Sequence, residues 1–272
     1  MGILDFEFIK GFARCAADGA AMGWHERNGG NISYRLKEAE VALSAPYLSD
    51  VLPWQAIGTE VPHLGGEYFL VTGSGRYIRN VELDPEGNIC IIELDESGEN
   101  YRIRWGLRGG GRPTSELPSH LMNHQVKFLA TGGKHRVIYH AHTTNLIALT
   151  FVLPLKDEVF TRELWEMMTE CPVVFPQGVG VVHWMVPGGR EIAVATSKLM
   201  ETYDVAIWAH HGTFVSGEDF DLAFGLMHCV EKASEVLVKV LAMGGKRQSI
   251  TPVDFRQLAN DFNVTLEERF LA

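Results

Sequence analysis

The chain has 272 residues, 46% of them apolar and 21% charged, a composition that fits a folded chain with a sizeable core rather than a disordered or fibrous one. Its formal net charge is −10 with no lysine or arginine run, which argues against a nucleic-acid partner, and no apolar stretch approaches membrane length. Four scattered cysteines (Cys15, Cys90, Cys171, Cys229) form no C-x-x-C, and the N-terminus has early acids and no basic segment ahead of an apolar one; together these predict reduced thiols in a soluble, cytoplasmic protein.

Residues 3–23 place Phe6, Ile9, Phe12, Ala13, Ala16 and Ala20 at helical spacing, with Gly23 closing the pattern. The turn Asn28-Gly29-Gly30-Asn31 then leads into a short strand over 32–36. Its glycines allow backbone N–H groups to face an anion, and its asparagines add side-chain donors. Residues 37–67, with Pro46, Pro53, Pro62 and Gly65-Gly66, read as an excursion over the surface. The strand EYFLVTG runs into a second small-residue loop, Thr72-Gly73-Ser74-Gly75, which lacks the spacing of a nucleotide-binding P-loop. NICIIELDESGENYRIRWGL alternates as a hairpin about Glu96-Ser97-Gly98-Glu99. A third donor pair, Thr114-Ser115, opens a helix over about 115–130. Glu116 lies in its first turn, where an acid complements the helix dipole, and Pro118 sits near its start.

RVIYHAH reads as a strand ending in His140 and His142, followed by a helix opening from a Thr/Asn cap. Residues 158–169 and 190–203 are helical by pattern. Between them, residues 172–189 read as extended segments with turns at Pro176-Gln177-Gly178 and Pro187-Gly188-Gly189. VAIWAHHG reads as a buried strand ending in His210-His211-Gly212. GTFVSGED leads to the longest helix, about 221–243, and Thr251 with Pro252 caps the last one. No repeat or clean boundary interrupts the chain. The expectation is one domain over 1–272, with helices on both faces of a mixed or mostly antiparallel sheet.

Side chains alternate along a strand, so His140 and His142 project to one face, close enough to share a divalent metal. A third histidine at another strand end would complete a catalytic zinc set. His210 and His211 are the candidates, and as strand neighbours only one of them can serve. His25, His63, His120, His124, His135, His183 and His228 read as satisfied core or surface residues. A metal with three imidazoles and an open position is a Lewis acid, and a nearby carboxylate could move a proton at carbon. Three donor-rich loops suggest a phosphate on the substrate. Carbon-acid chemistry on a phosphorylated keto sugar follows.

The segments GWHERNGGNISYRL (23–36), VTGSGRYIRNVELDP (71–85), PTSELPSH (113–120), HAHTTNLIALT (140–150), FTRELWEMMTECPVVFPQGVG (160–180), WMVPG (184–188), HHGTFVSG (210–217) and EKASEVLVKVLAMGG (231–245) resemble the class II aldolase/adducin family over nearly the whole length. The resemblance implies a three-layer α/β/α sandwich and one zinc ion per subunit on His140, His142 and His211. It implies that Glu116 can sit on zinc in the resting site and swings off to act as general base or acid. Asn28, Gly30, Asn31, Ser74, Gly75, Thr114 and Ser115 match the phosphate cradle. Glu170 matches a second acid on the aldehyde side, acting from the same or a neighbouring subunit. The implied reaction is reversible aldol cleavage of L-rhamnulose 1-phosphate to dihydroxyacetone phosphate and L-lactaldehyde by a cytoplasmic C4 homotetramer. Within the family the alternatives are a different sugar-phosphate aldolase, an epimerase or a dehydratase; outside catalysis, the alternative is an adducin-like scaffold.

Overall fold

Alternation of side chains sets the architecture. In the computed structural model of the protein, which describes residues 2–271, the apolar strand positions divide between two faces of one sheet, and helices cover both. In chain order the elements begin with α1 (Glu7–Ala21), β1 (Asn31–Arg35), α2 (Glu38–Ser44), β2 (Gln55–Ala56), β3 (Tyr68–Thr72), α3 (Pro85–Asn88), β4 (Ile89–Leu94), β5 (Asn100–Gly106), α4 (Leu117–Thr131) and β6 (Val137–Ala141). They continue with α5 (Thr144–Leu149), α6 (Asp157–Trp165), α7 (Cys171–Val174), β7 (Gly180–Val182), α8 (Arg190–Met200), β8 (Val205–Trp208), β9 (Gly212–Gly217), α9 (Phe220–Ala242) and α10 (Pro252–Phe262). The strands lie in the order β2-β5-β4-β3-β1-β6-β9-β8-β7, and every neighbouring pair is antiparallel except β7–β8. This is the expected α/β/α sandwich on a mixed, mostly antiparallel sheet. The positions Met1 and Ala272 of the expected domain lie outside the described residues.

On β6, Val137, Tyr139 and Ala141 pack into the largest apolar cluster with Phe12 of α1, Leu146 of α5 and Val230 of α9. Ile138 points the other way, into a cluster with Ile192 of α8, Trp208 and Phe214. On that same face, Leu117 and Leu121 of α4 pack with Phe69, Val71 and Ile92 of the outer strands. Between these two clusters the interface is polar. There β1 presents Asn31, Ser33 and Arg35, the last lying over Phe128 of α4, and α4 presents His120 and His124; all five polar residues are buried. That seam leads to the edge of the sheet where β1 begins and β6 ends, with Asn31 paired to His140.

Several expectations need correction. Residues 37–67 are not wholly a surface excursion: they contain α2 and the edge strand β2, and they bury Ile57, Val61 and Leu64 against the β3–β5 face. GTFVSGED does lead to the longest helix, but GTFVSG is itself a strand, the inner strand β9 between β6 and β8. His210 and His211 therefore lie in the tight turn joining β8 to β9, not side by side on a strand, and His210 adopts φ 63°. Residues 172–189 carry the short helix α7 at their start, and only Gly180–Val182 is strand. The cap of α5 comes from far along the chain. Thr143 makes no side-chain cap, whereas the Glu231 carboxylate of α9 accepts from the backbone N–H groups of Asn145 (2.9 Å) and Leu146 (3.0 Å) and from the Asn145 amide (2.8 Å). The Thr251 cap and Pro252 at the first turn of α10 are as expected, as is Gly23 beyond α1, at φ 76°.

Glu231 is buried, which raises its carboxyl pKa, and these three donors work against that rise. Glu231→Ala strands two helix N–H groups under α9, and we expect a loss of about 1–3 kcal/mol of stability in urea unfolding. An unchanged midpoint would mean that α5 is held by its apolar face alone.

Candidate metal and substrate site

Three chain ends converge on one edge of the sheet because β6 is antiparallel to both neighbours: β1 starts, and β9 starts, where β6 stops. The β1 end brings the glycine-rich turn, the β9 end brings the His210-His211 turn, and β6 brings His140 and His142. The rings of His140, His142 and His211 form a nearly equilateral triangle, with centroids 5.2, 5.1 and 5.0 Å apart. Their ligand atoms all lie within 4.8 Å of one another, an arrangement that can hold a metal ion. His210 is exposed and turned away, its Nδ1 beside the Thr150 hydroxyl (3.1 Å) and its ring against Phe151. Backbone direction in the turn, rather than strand alternation, makes His211 the third member.

The outer contacts of two rings decide which nitrogen faces inward. His140 Nδ1–H donates to the Thr213 carbonyl (3.1 Å), and the ring stacks on Phe214 at 4.3 Å. His140 Nε2 is then buried with no hydrogen-bond partner. A buried lone pair without a donor is costly, and a metal ion is the partner that the donor set fits. On the other side, His142 Nδ1 meets Glu26 Oε1 at 2.6 Å, the carboxylate–histidine contact that fixes a metal-binding ring. Burial, reinforced by the neighbouring rings, depresses His140 well below its ordinary pKa; burial, then His142, takes His211 down to about 4. Both are therefore neutral near pH 7, as ligands must be.

Glu116 is the N-cap residue of α4, and its Oε2 stands 3.7 Å from His140 Nε2. Burial pushes its carboxyl above the ordinary value, while the Asn31 amide, donating at 2.8 Å, and the His142 ring pull it partly back. Around this acid and the three histidines lies a cleft of about 200 Å³. Its other walls are residues 28–31, 73–75 and 114–115, with Pro187 at the rim. The structure thus brings together every residue expected of the metal set and the anion cradle. Glu170 is the exception: it is exposed at the start of α7 and does not line the cleft of its own chain.

The cradle loops are locked by their own backbones. Ser74 N–H donates to the Arg112 carbonyl and Thr114 N–H to the Thr72 carbonyl, both at 2.8 Å, so these two residues offer hydroxyls rather than amides to a ligand. Gly30 (φ 73°) and Gly75 (φ 70°) take left-handed conformations that favour glycine. A Cβ on Gly30 would also strike His25 Nδ1. Gly212 answers a different need: a Cβ there would stand 2.5 Å from the Ala141 carbonyl and 3.0 Å from His140 Cε1, prying β9 off the histidine-bearing end of β6.

Glu26, His25, His120 and His124 carry no local signal of what they do here. Glu26 sits beside His25 in the glycine-loop segment, but nothing in its spacing announces a contact with His142. His25 is half-buried and satisfied, and it braces the loop, since its Nδ1–H donates to the Gly29 carbonyl (3.0 Å) and its Nε2 accepts from Tyr139 Oη (2.8 Å). His120 and His124 stand at helical spacing from Glu116, yet nothing in the sequence marks their partners.

Comparison with known proteins agrees with this geometry. Residues 10–238 match the Class II Aldolase and Adducin N-terminal domain family. A rhamnulose-1-phosphate aldolase of Mannheimia succiniciproducens is 49% identical over 263 residues, covering 97% of each chain. One from Klebsiella pneumoniae is 47% identical over 265 residues, covering 96% of this chain and 95% of its own. The crystal structure of a sugar-phosphate aldolase from Thermotoga maritima superposes with a TM-score of 0.75 at 31% identity, covering 88% of this chain and 97% of that one.

Burial takes His25 down to about 4 and His120 to about 3, and drives His124 well below the ordinary 6.5. Below pH 6.5 the unfolded chain therefore binds more protons than the folded one, so stability falls as pH falls through that window. The raised carboxyls of Glu116 and Glu231 act in the opposite sense lower in the range. With His140 and His211 depressed as well, we expect the melting temperature of the metal-free protein to drop between pH 6.5 and 4.5 with a slope equivalent to roughly three to five protons. A flat profile there would show these histidines to be solvated.

Proposed function

The chain belongs to the class II aldolase and adducin family, and we propose that it catalyses zinc-dependent, reversible cleavage of L-rhamnulose 1-phosphate to dihydroxyacetone phosphate and L-lactaldehyde. One geometric observation carries the reading: His140 Nε2, buried and without a partner, stands 3.7 Å from Glu116 in a cleft otherwise walled by hydroxyls, amides and glycines. The two rhamnulose-1-phosphate aldolases, similar over nearly their whole lengths, point to the substrate.

In this reading His140, His142 and His211 hold one zinc ion, joined in the resting site by Glu116. When bound, zinc supplies Lewis acidity toward the substrate's ketone and adjacent hydroxyl and stabilises the negative charge that bond cleavage leaves on the three-carbon half. Asn28, Gly30, Asn31, Ser74, Gly75, Thr114 and Ser115 hold the phosphate, fixing C3 near Glu116. The C4 hydroxyl proton passes to Glu170 on the aldehyde side as C3–C4 breaks, and the bonding pair passes to the three-carbon half. Glu116 then delivers a proton to that carbon, completing dihydroxyacetone phosphate, and in the reverse direction its carboxylate removes it. Its raised proton affinity suits a carboxyl that must hold a proton before giving it up. No lysine is required as a Schiff base. Glu170 assists on the aldehyde side from a neighbouring subunit of a C4 homotetramer, which is consistent with its exposure at the start of α7. The whole chain, 1–272, is one catalytic domain, and it works in the cytoplasm, where its four unbridged cysteines are at home.

Chelation should abolish cleavage and added zinc should restore it; full turnover in metal-free protein would end this mechanism. Dihydroxyacetone phosphate should be released from rhamnulose 1-phosphate and not from fuculose 1-phosphate. The opposite preference would move the protein to another aldolase of the family. Glu116→Gln should keep the metal, measured by elemental analysis, and lose a factor of about 10²–10⁴ in kcat. Near-normal turnover in that variant would reduce Glu116 to a helix-start acid.

A further inference from the structure

A hydrogen-bonded chain starts at Glu116 Oε2, the oxygen that also stands 3.7 Å from His140 Nε2, and runs into the polar seam between β1 and α4. Asn31 Nδ2 meets Glu116 Oε2 at 2.8 Å, and Asn31 Oδ1 contacts His120 Nε2. His120 Nδ1 lies 2.6 Å from Ser33 Oγ, which lies 2.8 Å from His124 Nε2. None of the five side chains is more than marginally exposed, and His120 and Ser33 are at 0%. Two periodicities build it. Asn31 and Ser33 are two apart on a strand, so they face the same way, and Glu116, His120 and His124 are spaced four apart, forming one stripe of α4.

With Glu116 ionised, one assignment of protons satisfies every contact. An ionised Glu116 has no hydrogen to give, so Asn31 must turn its NH₂ toward it and its carbonyl oxygen toward His120. His120 must then carry its proton on Nε2, which leaves Nδ1 to accept the Ser33 hydroxyl hydrogen. Ser33 Oγ in turn accepts from His124 Nε2–H. Every donor along the chain points toward the carboxylate. This requires His120 to be neutral, since its Nδ1 accepts, and burial holds both imidazoles far below their ordinary pKa.

We propose that His120 is a positioning residue for Glu116: by donating to Asn31 Oδ1 from a tautomer that Ser33 and His124 enforce, it fixes the Asn31 amide with its NH₂ on the carboxylate. Without that donor the amide can turn over and set its oxygen against the Glu116 carboxylate, displacing the proton-transfer group. The inference rests on the reading of Glu116 as the acid and base at carbon. It adds three residues (Ser33, His120, His124) that touch neither metal nor substrate. A seam kept only for packing would need polar satisfaction, but no single orientation of the Asn31 amide.

The test uses the zinc-loaded enzyme and compares His120→Leu with His120→Gln, because a glutamine amide can present a donor and an acceptor much as the imidazole does. Three readings are taken: kcat and KM for cleavage, zinc content, and exchange of the dihydroxyacetone phosphate carbon-bound proton in deuterated water, which reports the Glu116 step alone. His120→Leu should lower kcat and exchange by about 10- to 100-fold, with KM within about two-fold and zinc retained. His120→Gln should recover most of both rates. Should the leucine variant fail to fold, Ser33→Ala carries the test, with kcat and exchange falling at constant KM. Unchanged kcat in a folded, zinc-loaded His120→Leu or Ser33→Ala variant overturns the proposal. So does an equal fall in kcat, KM and zinc content without rescue by glutamine, which marks packing alone. Glu116→Gln, run alongside, separates the two levels. If it keeps the exchange, the reading of Glu116 fails and takes the proposal with it; if it loses exchange while His120→Leu does not, only the positioning role is gone.

Discussion

The site depends on one topological fact: β6 lies between two antiparallel neighbours in the middle of the sheet. A strand so placed ends where both neighbours begin, and the chain entering each neighbour must turn at that edge. The glycine-rich turn before β1 and the His210-His211 turn before β9 are those two entries. A parallel arrangement would have put these entries at the opposite edge, leaving His140 and His142 without a third imidazole or a cradle. Register then does the fine work. Pairing Asn31 with His140 puts an amide beside the histidine triad, and pairing Ala141 with Thr213 puts the turn holding His211 over it.

Such a site carries an energetic burden that the fold distributes. Imidazoles and a carboxylate are held in low-dielectric surroundings, where each is driven toward its neutral form. For the histidines neutrality is useful, since it leaves lone pairs for a metal and for a directed hydrogen-bond chain. For Glu116 it sets a balance between burial, which favours the protonated acid, and the Asn31 donor, which favours the carboxylate. That balance suits the acid and base role proposed for it. The polar seam between β1 and α4 interrupts the apolar packing on that face of the sheet, separating its two clusters. A seam of this kind is tolerable only because its groups find partners.

The long helix α9 ties the other face together. It packs on α1, α5 and β9, and through Glu231 it caps α5, the helix that follows His140 and His142 directly. The histidine-bearing end of β6 is therefore held from both sides: by β1 and β9 within the sheet, and by α9 beneath it. Gly212 shows how little slack remains, since a single methyl group there would meet both the Ala141 carbonyl and the His140 ring.

Much of this was legible in the residues. The alternation that aims His140 and His142 the same way, the glycines of the donor loops and the acid at the start of α4 are local, because strand and helix periodicity act between near neighbours. By itself the sequence determined these local facts and, through its motifs, the family. The tertiary structure alone decided what depends on contacts between distant segments: that GTFVSG is an inner strand, that Glu231 rather than Thr143 caps α5, and how the turn before β9 aims His211, already implied by the family's motif, at the other two rings. It also decided that Glu26 holds His142 and that His120 and His124 stand in a chain leading to Glu116. Those partners lie from about 85 to 116 positions apart in the chain. No periodicity reaches so far; only the register of packed strands and helices brings such side chains within hydrogen-bonding distance.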